Sequence, residues 1–517
     1  MTGRMSNNSR VDYHSRISFA VCEKRSERLE RQWQQLCDHY LPLASHDAIW
    51  RYHRVRPEDE PAAGWKLHVS ATVLNAVRVL RKVAPVLATH GIQFKAPASL
   101  REVMRLNAGS YYGYTQIGKI ITVYPRTAEE GLLVAEQLHN LTRRMAAPSV
   151  PFDLRYAPNG NIYYRFGAFQ PLEIKHEDGK STPAVRDPAG DLVPDLRQRP
   201  KPDWTSDPFR GRSPNCSRKS QNPLSTSYQV LRALAQRGKG GVYQAIDLNQ
   251  NPPRLCLIKE GRKHGEVTWD GRDGRWRIRN EERVLRALLA NGLEVPRVYS
   301  SFELDGNAYL VTEFIDGETL HSLLSRLRKR MPISRVLRYS IQLAAFFSQM
   351  HAVGWVWRDC KPRNLIVTRK CGLKPLDFEG ACPVDRPDFL FWGTPGFTPP
   401  EWCSANRRTG LPDDLYALGS IIYLLATGRV PDATNPAAPE KLRPNIPPEL
   451  SSLVISLLAS DPKRRPHSQA ALAQLKWAER KRSPRDRVRG TTRTRVAIEN
   501  RGGGKADRLS AVAARAG

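Results

Sequence analysis

The chain is short of acid. Its 517 residues carry 51 Asp and Glu against 81 Lys and Arg, a net charge of +30. An excess of this size reflects either an Arg-rich coding style or an acidic partner. The basic residues are not interleaved with aromatics as on a nucleic-acid surface, so nucleic acid is not an expected partner. Cysteine is sparse too. The eight are scattered with no C-x-x-C pair, which excludes a disulfide framework and a zinc-spaced Cys/His set. No apolar run is long enough to span a bilayer, and the first residues lack the basic-then-apolar pattern of a secretory signal. The expected setting is the reducing cytoplasm, without a membrane partner.

What is present is concentrated in two places. The first is Trp357-Arg358-Asp359-Cys360-Lys361-Pro362-Arg363-Asn364, followed by Leu376-Asp377-Phe378-Glu379. An Asp, a Lys two residues on, an Asn five residues on and a second Asp in a short apolar run are the parts phosphoryl transfer requires. Asp359 can orient an acceptor hydroxyl, Lys361 can neutralise phosphoryl oxygens, and Asn364 and Asp377 can hold a divalent metal. Lys259 ends the strand-like run Leu255–Lys259, and Glu281 opens a helical pattern where the partner of such a lysine belongs. Ala308–Ile315 reads as a strand entering a hinge. Pro399-Pro400-Glu401, Asp414 and Arg465 complete the order. Residues 226–477 thus resemble the protein kinase family, which implies ATP or GTP with Mg²⁺. It also implies nucleotide contacts at Gly238, Gly240, Val242, Lys259, Glu281, Glu313 and Ile315.

Three positions depart from the kinase pattern. The glycine-rich loop, Ala235–Tyr243, keeps only Gly240 of the usual three glycines when aligned on Val242, although Gly238 and Gly241 still offer a flexible turn. Trp357 stands for the usual His of the catalytic loop, and Glu379 for the Gly after Asp-Phe. Trp357 is expected to stack beneath the metal-binding loop. An active kinase and a pseudokinase are both compatible with these changes.

The second place is the N-terminal third. Gly64–Thr72 alternates like a strand, with Lys66 and His68 on one face. Gly118–Arg126 and Ile162–Phe169 are further strands, with Lys119 and Arg165 among their basic residues. These cations either sit on solvated strand faces or together line an anion pocket. The runs Gly64–Thr72, Gly118–Pro125 and Tyr164–Phe169, continued by Arg186-Asp187-Pro188, Leu192–Asp195 and Asp207-Pro208-Phe209, resemble the lyase domain of class III lanthionine synthetases. In that family a kinase phosphorylates Ser or Thr of a precursor peptide, and the lyase eliminates the phosphate to leave a dehydroamino acid. The lyase in turn is similar to bacterial phosphothreonine lyases with their Lys-x-His motif. The resemblance implies His68 as general acid, Lys95 as the base at Cα, and Lys66, Lys119 and Arg165 as phosphate ligands.

The expected fold class is α+β. A flank (1–63) precedes a lyase-like domain (64–173), a loop-rich connector (174–225), a bilobal kinase fold (226–477) and a basic, disordered tail (478–517). The tail is too short for the zinc-bearing cyclase that ends the family's chains. A separate cyclase acting in trans, a product that is only dehydrated, and a cut-down relative are the three expectations. A phosphopeptide-binding module fused to a signalling Ser/Thr kinase is the competing reading.

Overall fold

A computed structural model describes residues 19–54, 61–170, 172–210, 223–327, 330–370, 372–388, 392–403 and 410–481. Of the tail expected at 478–517, the part after Lys481 lies outside the described residues, and the last helix runs to Arg480. The chain is mixed α and β and divides into two compact units. One runs to Glu282 and adds Val298–Phe314. The other consists of Arg283–Arg297 and the chain from Ile315 onward.

The first unit begins with α1 (Phe19–Tyr40), β1 (Leu43–Ala44), β2 (Trp50–Tyr52), β3 (Ala63–Val69), α2 (Ala76–Thr89), β4 (Gln93–Pro97) and α3 (Leu100–Ala108). Then come β5 (Ile121–Tyr124), α4 (Ala128–Thr142), β6 (Leu154–Arg155) and β7 (Ile162–Ala168). The seven strands form one antiparallel sheet in the order β1-β2-β4-β5-β3-β7-β6. Successive side chains on a strand point to opposite faces. In this register Leu67, Val69, Phe94, Val123 and Tyr164 share one face, while Lys66, His68, Lys95, Thr122 and Arg165 share the other. The apolar face is fully buried beneath α1–α4, against Trp33, Leu80, Leu87, Val103, Leu106 and Leu138. None of the described residues of α1–α4 lines the cavity over the cationic face.

The domain reaches back before residue 64. α1 buries Trp33 and Cys37, four residues apart, and Leu41 just past its end continues the stripe. The Trp33 indole donates to the Pro97 carbonyl at 3.0 Å, so α1 steadies the end of β4. The expected connector is also partly ordered. β8 (Glu173–Lys175), β9 (Ser181–Arg186) and β10 (Leu192–Pro194) form a three-stranded antiparallel sheet. Its strands are short and interrupted by Pro and Gly, so their alternation is too brief to read from sequence.

A short helix α5 (Pro223–Thr226) precedes β11 (Tyr228–Arg237), β12 (Gly240–Asp247), β13 (Arg254–Gly261), α6 (Gly274–Ala290), β14 (Val298–Leu304) and β15 (Asn307–Glu313). These strands form an antiparallel sheet ordered β11-β12-β13-β15-β14 around Ala245, Cys256, Ile258 and Val311. The second unit holds β16 (Gly317–Thr319), α7 (Leu320–Arg326), α8 (Ile333–Ala352), β17 (Trp355–Val356), β18 (Leu365–Thr368), β19 (Leu373–Pro375) and β20 (Cys382–Pro383). It ends with α9 (Leu411–Thr427), α10 (Pro439–Leu442), α11 (Pro448–Leu457) and α12 (Ser468–Arg480). α8, α9, α11 and α12 pack together around Leu343, Phe347, Leu418, Ile422 and Leu475.

Candidate active sites

The cationic face of the N-terminal sheet floors a cavity of about 690 Å³. Six basic side chains line it (Arg54, Lys66, Lys95, Lys119, Arg165 and Arg197), together with His68, against the two carboxylates Glu173 and Asp195. Lys66 lies opposite Arg165 across the β3–β7 pair, and Thr122 lies opposite both His68 and Lys95. The five N-terminal residues singled out from sequence therefore converge on one pocket. Trp50, Tyr52 and Tyr124 form its aromatic wall, with the Lys95 ammonium 4.1 Å from the Trp50 ring centre and Lys66 5.8 Å from that of Tyr124.

Asp153 organises the centre. Its Oδ2 accepts from His68 Nδ1 at 2.6 Å and its Oδ1 from Lys119 Nζ at 2.8 Å, with all three side chains buried. Burial pushes the Asp153 carboxyl up, but His68 and Lys119 more than offset this and hold it below its ordinary range. The hydrogen bond sets the His68 tautomer and leaves Nε2 as the ring's other functional nitrogen. Burial pulls His68 down to about 4 despite Asp153, which favours the neutral imidazole. Burial likewise lowers Lys66 to about 7, aided by Arg165, and Lys95 to about 8, aided by Arg197.

A second carboxylate, Asp195, sits where an anion belongs. It pairs with Arg165 and accepts from the Ala168 N–H at 3.2 Å. Arg165 Nε is buried with no hydrogen-bond partner among the described residues. Asp195 and Arg197 come from the chain just after β10. Sequence spacing missed both, as it missed Asp153, because all three arrive on loops. An acid inside a basic, strand-poor stretch was the one available signal.

The small-lobe kinase residues from Gly238 to Glu281, and Glu313, belong to the first unit. Lys259 Nζ donates to both Glu281 carboxylate oxygens at 2.7 and 2.8 Å, and Lys259 lies opposite Val242 across the β12–β13 pair. Gly238 and Gly240 flank the tip of the β11–β12 hairpin, and Glu313 ends β15 with Ile315 just beyond. The tip is held rather than loose, since the Gly238 N–H donates to the Ala108 carbonyl at 2.9 Å.

The catalytic loop belongs to the second unit. Asp414, completely buried on α9, accepts from the backbone N–H groups of Trp357 and Arg358 at 2.8 Å each. Arg358 and Asp377 adopt left-handed backbone conformations, with φ of 74° and 65°, a strained region that functional loops retain when their surroundings enforce it. Trp357 supplies part of that enforcement: its indole donates to the Asp377 carbonyl at 2.9 Å and stacks on Phe378 at 5.2 Å. Lys361 Nζ donates to Asp359 Oδ2 at 2.7 Å and to Thr394 Oγ1 at 3.0 Å, and Thr394 donates to Asp359 Oδ1 at 3.1 Å. Asn364 Nδ2 donates to the Asp359 carbonyl at 2.9 Å, which leaves its Oδ1 as a ligand atom. Burial raises Asp359 above its ordinary range, and Lys361 works against that shift. Arg465 pairs with Glu401 at 2.8 Å. Cys360 is packing: burial holds its thiol far above ordinary and protonated. Thr394 is the residue sequence reading missed here.

Two family models match the chain. The description "RamC, N-terminal domain" covers residues 41–221 and "Protein kinase domain" covers residues 228–477. A probable SapB synthase of Streptomyces coelicolor is 31% identical over 73% of this chain, and the chain spans 41% of that protein's length. The serine/threonine-protein kinase PknA of Mycobacterium tuberculosis is 29% identical over 51% of this chain and 64% of its own. The serine/threonine-protein kinase PksC of Streptomyces coelicolor is 28% identical over 47% of each. No helix among the described residues is long and apolar enough to cross a membrane.

Proposed function

We propose that this chain, a RamC N-terminal domain joined to a protein kinase domain, dehydrates Ser or Thr of a precursor peptide in two steps, phosphorylation and then elimination. The observation that carries the second step is the convergence of Lys66, His68, Lys95, Lys119 and Arg165 on one cavity, with His68 and Lys119 both fastened to Asp153.

In the first step Asp359 accepts the hydroxyl proton of the peptide and aims its oxygen. Lys361, held by Asp359 and Thr394, offsets charge on the transferred group. The Asp377 carboxylate and Asn364 Oδ1 are hard oxygen donors that suit Mg²⁺. When bound, the ion would neutralise nucleotide phosphate charge. Lys259, fixed by Glu281, would pair with the nucleotide phosphates.

In the second step Lys95, as the neutral amine, removes the Cα proton. The Cα–H electrons form the Cα=Cβ bond, the Cβ–O bond breaks, and phosphate leaves with a proton from His68. Lys66, Lys119 and Arg165 hold the phosphate, and their attraction grows as charge collects on the departing oxygen. The charge of a bound phosphate favours the His68 imidazolium, offsetting the burial that favours its neutral form.

Elimination needs Lys95 without its proton and His68 with one, so its rate should pass through a maximum in pH and fall on either side, where one of the two conditions is lost. A synthetic phosphoserine peptide followed by mass spectrometry from pH 6 to 9 tests this. Peptide that binds and emerges unchanged at every pH identifies a binding module and favours the signalling-kinase reading.

Asp153 is the residue the N-terminal site depends on without its touching the peptide. Asp153→Ala leaves a buried cation unpaired, which is expected to destabilise the protein by about 3–5 kcal/mol. It also frees the His68 tautomer, which should slow elimination roughly 10²–10⁴-fold. Asp153→Asn should recover more of the melting temperature than of the rate. A normal elimination rate in either variant would remove Asp153 from the mechanism.

A further inference from the structure

The tip of the kinase's β11–β12 hairpin is built into the N-terminal domain. α3 starts at Ser99, whose hydroxyl accepts from the Glu102 N–H, and it stops at Gly109, which turns left-handed with φ of 69°. A helix end leaves its last carbonyls unused by the helix. One of them, from Ala108, accepts from the Gly238 N–H at 2.9 Å. The approach is so close that a Cβ on Gly238 would lie 1.6 Å from the Asn107 carbonyl oxygen. On its other side the hairpin is held by the chain after β13. The Lys239 carbonyl accepts from the Arg262 N–H at 2.8 Å, and a Cβ on Gly274 would lie 1.8 Å from that same carbonyl oxygen.

A side-chain contact repeats the link. The Arg262 guanidinium lies over the ring of Tyr114, 5.0 Å from its centre. Tyr114 opens the 3₁₀ turn Tyr114–Gln116, and the Gln116 carbonyl accepts from the Lys119 N–H at 3.2 Å. The Asn107 side chain, buried beside the α3 end, donates to the Ala71 carbonyl at 2.9 Å and accepts from the Gly118 N–H at 3.2 Å. The segment that anchors the nucleotide loop is therefore continuous with the segment that carries Lys119.

A glycine-rich loop with only one of its usual glycines in place has less freedom to wrap phosphates by itself. We propose that the N-terminal domain positions this loop for the kinase, with the Ala108 carbonyl and the Tyr114 ring as its two supports. Nucleotide affinity of the kinase is then a property of both domains together. The inference rests on the kinase half of the proposed function.

The test uses the full chain with Tyr114→Ala and Tyr114→Phe. Tyr114 is not among the residues lining the elimination cavity. In Tyr114→Ala the KM for ATP with Mg²⁺ should rise about three- to fivefold at nearly constant kcat, the size of one lost cation–π contact. Elimination from a supplied phosphoserine peptide, which uses no nucleotide, should stay within about twofold of wild type. Tyr114→Phe, which retains the ring but loses the hydroxyl's hydrogen bond to Arg262, should retain part of the affinity. An unchanged KM in Tyr114→Ala overturns the proposal while phosphorylation by the wild type stands. Equal losses of phosphorylation and elimination, unrescued by phenylalanine, also overturn it. Wild-type protein that binds no nucleotide removes the kinase reading and this inference with it.

Discussion

Replacing His68 or Lys95 with alanine is expected to stop elimination and leave phosphorylation intact. Both side chains lie on the polar face of one sheet, across β5 from each other, where Thr122 is register partner to each. Lys95 is brought to about 8 by burial and by Arg197, so a usable fraction is neutral near pH 7. Arginine in its place would keep the charge and lose the base. His68 is the one imidazole among the described residues lining the cavity, a group suited to hand a proton to the departing oxygen. Loss of one member of an acid–base pair costs roughly 10²–10⁴ in rate. With the kinase still working, phosphopeptide should accumulate, about 80 Da heavier than the starting peptide. Intact-peptide mass spectrometry reads the outcome directly. A His68→Ala protein that still dehydrates at the wild-type rate would remove His68 as the acid.

The opposite result is expected of the catalytic loop. Asp359→Asn removes the acceptor of the hydroxyl proton, and Asp377→Asn removes the one carboxylate assigned to Mg²⁺. Each should reduce phosphate transfer by at least ~10²-fold. Asp359 is also the group to which Lys361, Asn364 and Thr394 are tied, so its loss disorders the set as well as the chemistry. Nucleotide-dependent phosphate incorporation into peptide is the measurement. Incorporation that survives both substitutions would place the chemistry elsewhere.

The kinase half was legible because its chemistry is local. Asp359, Lys361, Asn364 and Asp377 lie within one loop and the strands beside it, so spacing alone identifies them. The pairings Lys259–Glu281 and Arg465–Glu401 were legible by order along the chain, and both are made. Trp357 stacks on Phe378 and holds the Asp377 carbonyl, as expected of a large ring at that position. In the N-terminal domain the two-residue period of β3 placed Lys66 and His68 together, strand-like runs offered Lys119 and Arg165, and resemblance added Lys95 and the roles.

What stayed hidden came from long-range contacts. Asp153 reaches His68 from 85 residues away, and Asp195 reaches Arg165 from 30 residues away. Neither distance leaves a periodic trace. β1, β8 and β10 have two or three residues each, below the length at which alternation is visible. The clasp between Gly238 and Ala108 depends on where a helix stops relative to a hairpin more than a hundred residues later, which no local pattern encodes. The stripe of Trp33, Cys37 and Leu41, by contrast, was open to reading, and it would have extended the domain toward the N-terminus.

The central claim is that the N-terminal domain completes what the kinase begins. The most direct test gives a synthetic phosphoserine peptide to the Asp359→Asn protein, with no nucleotide present, and weighs the peptide afterwards. Conversion of phosphoserine to dehydroalanine, abolished by adding His68→Ala, is the predicted result. Phosphoserine that remains phosphoserine would contradict the account.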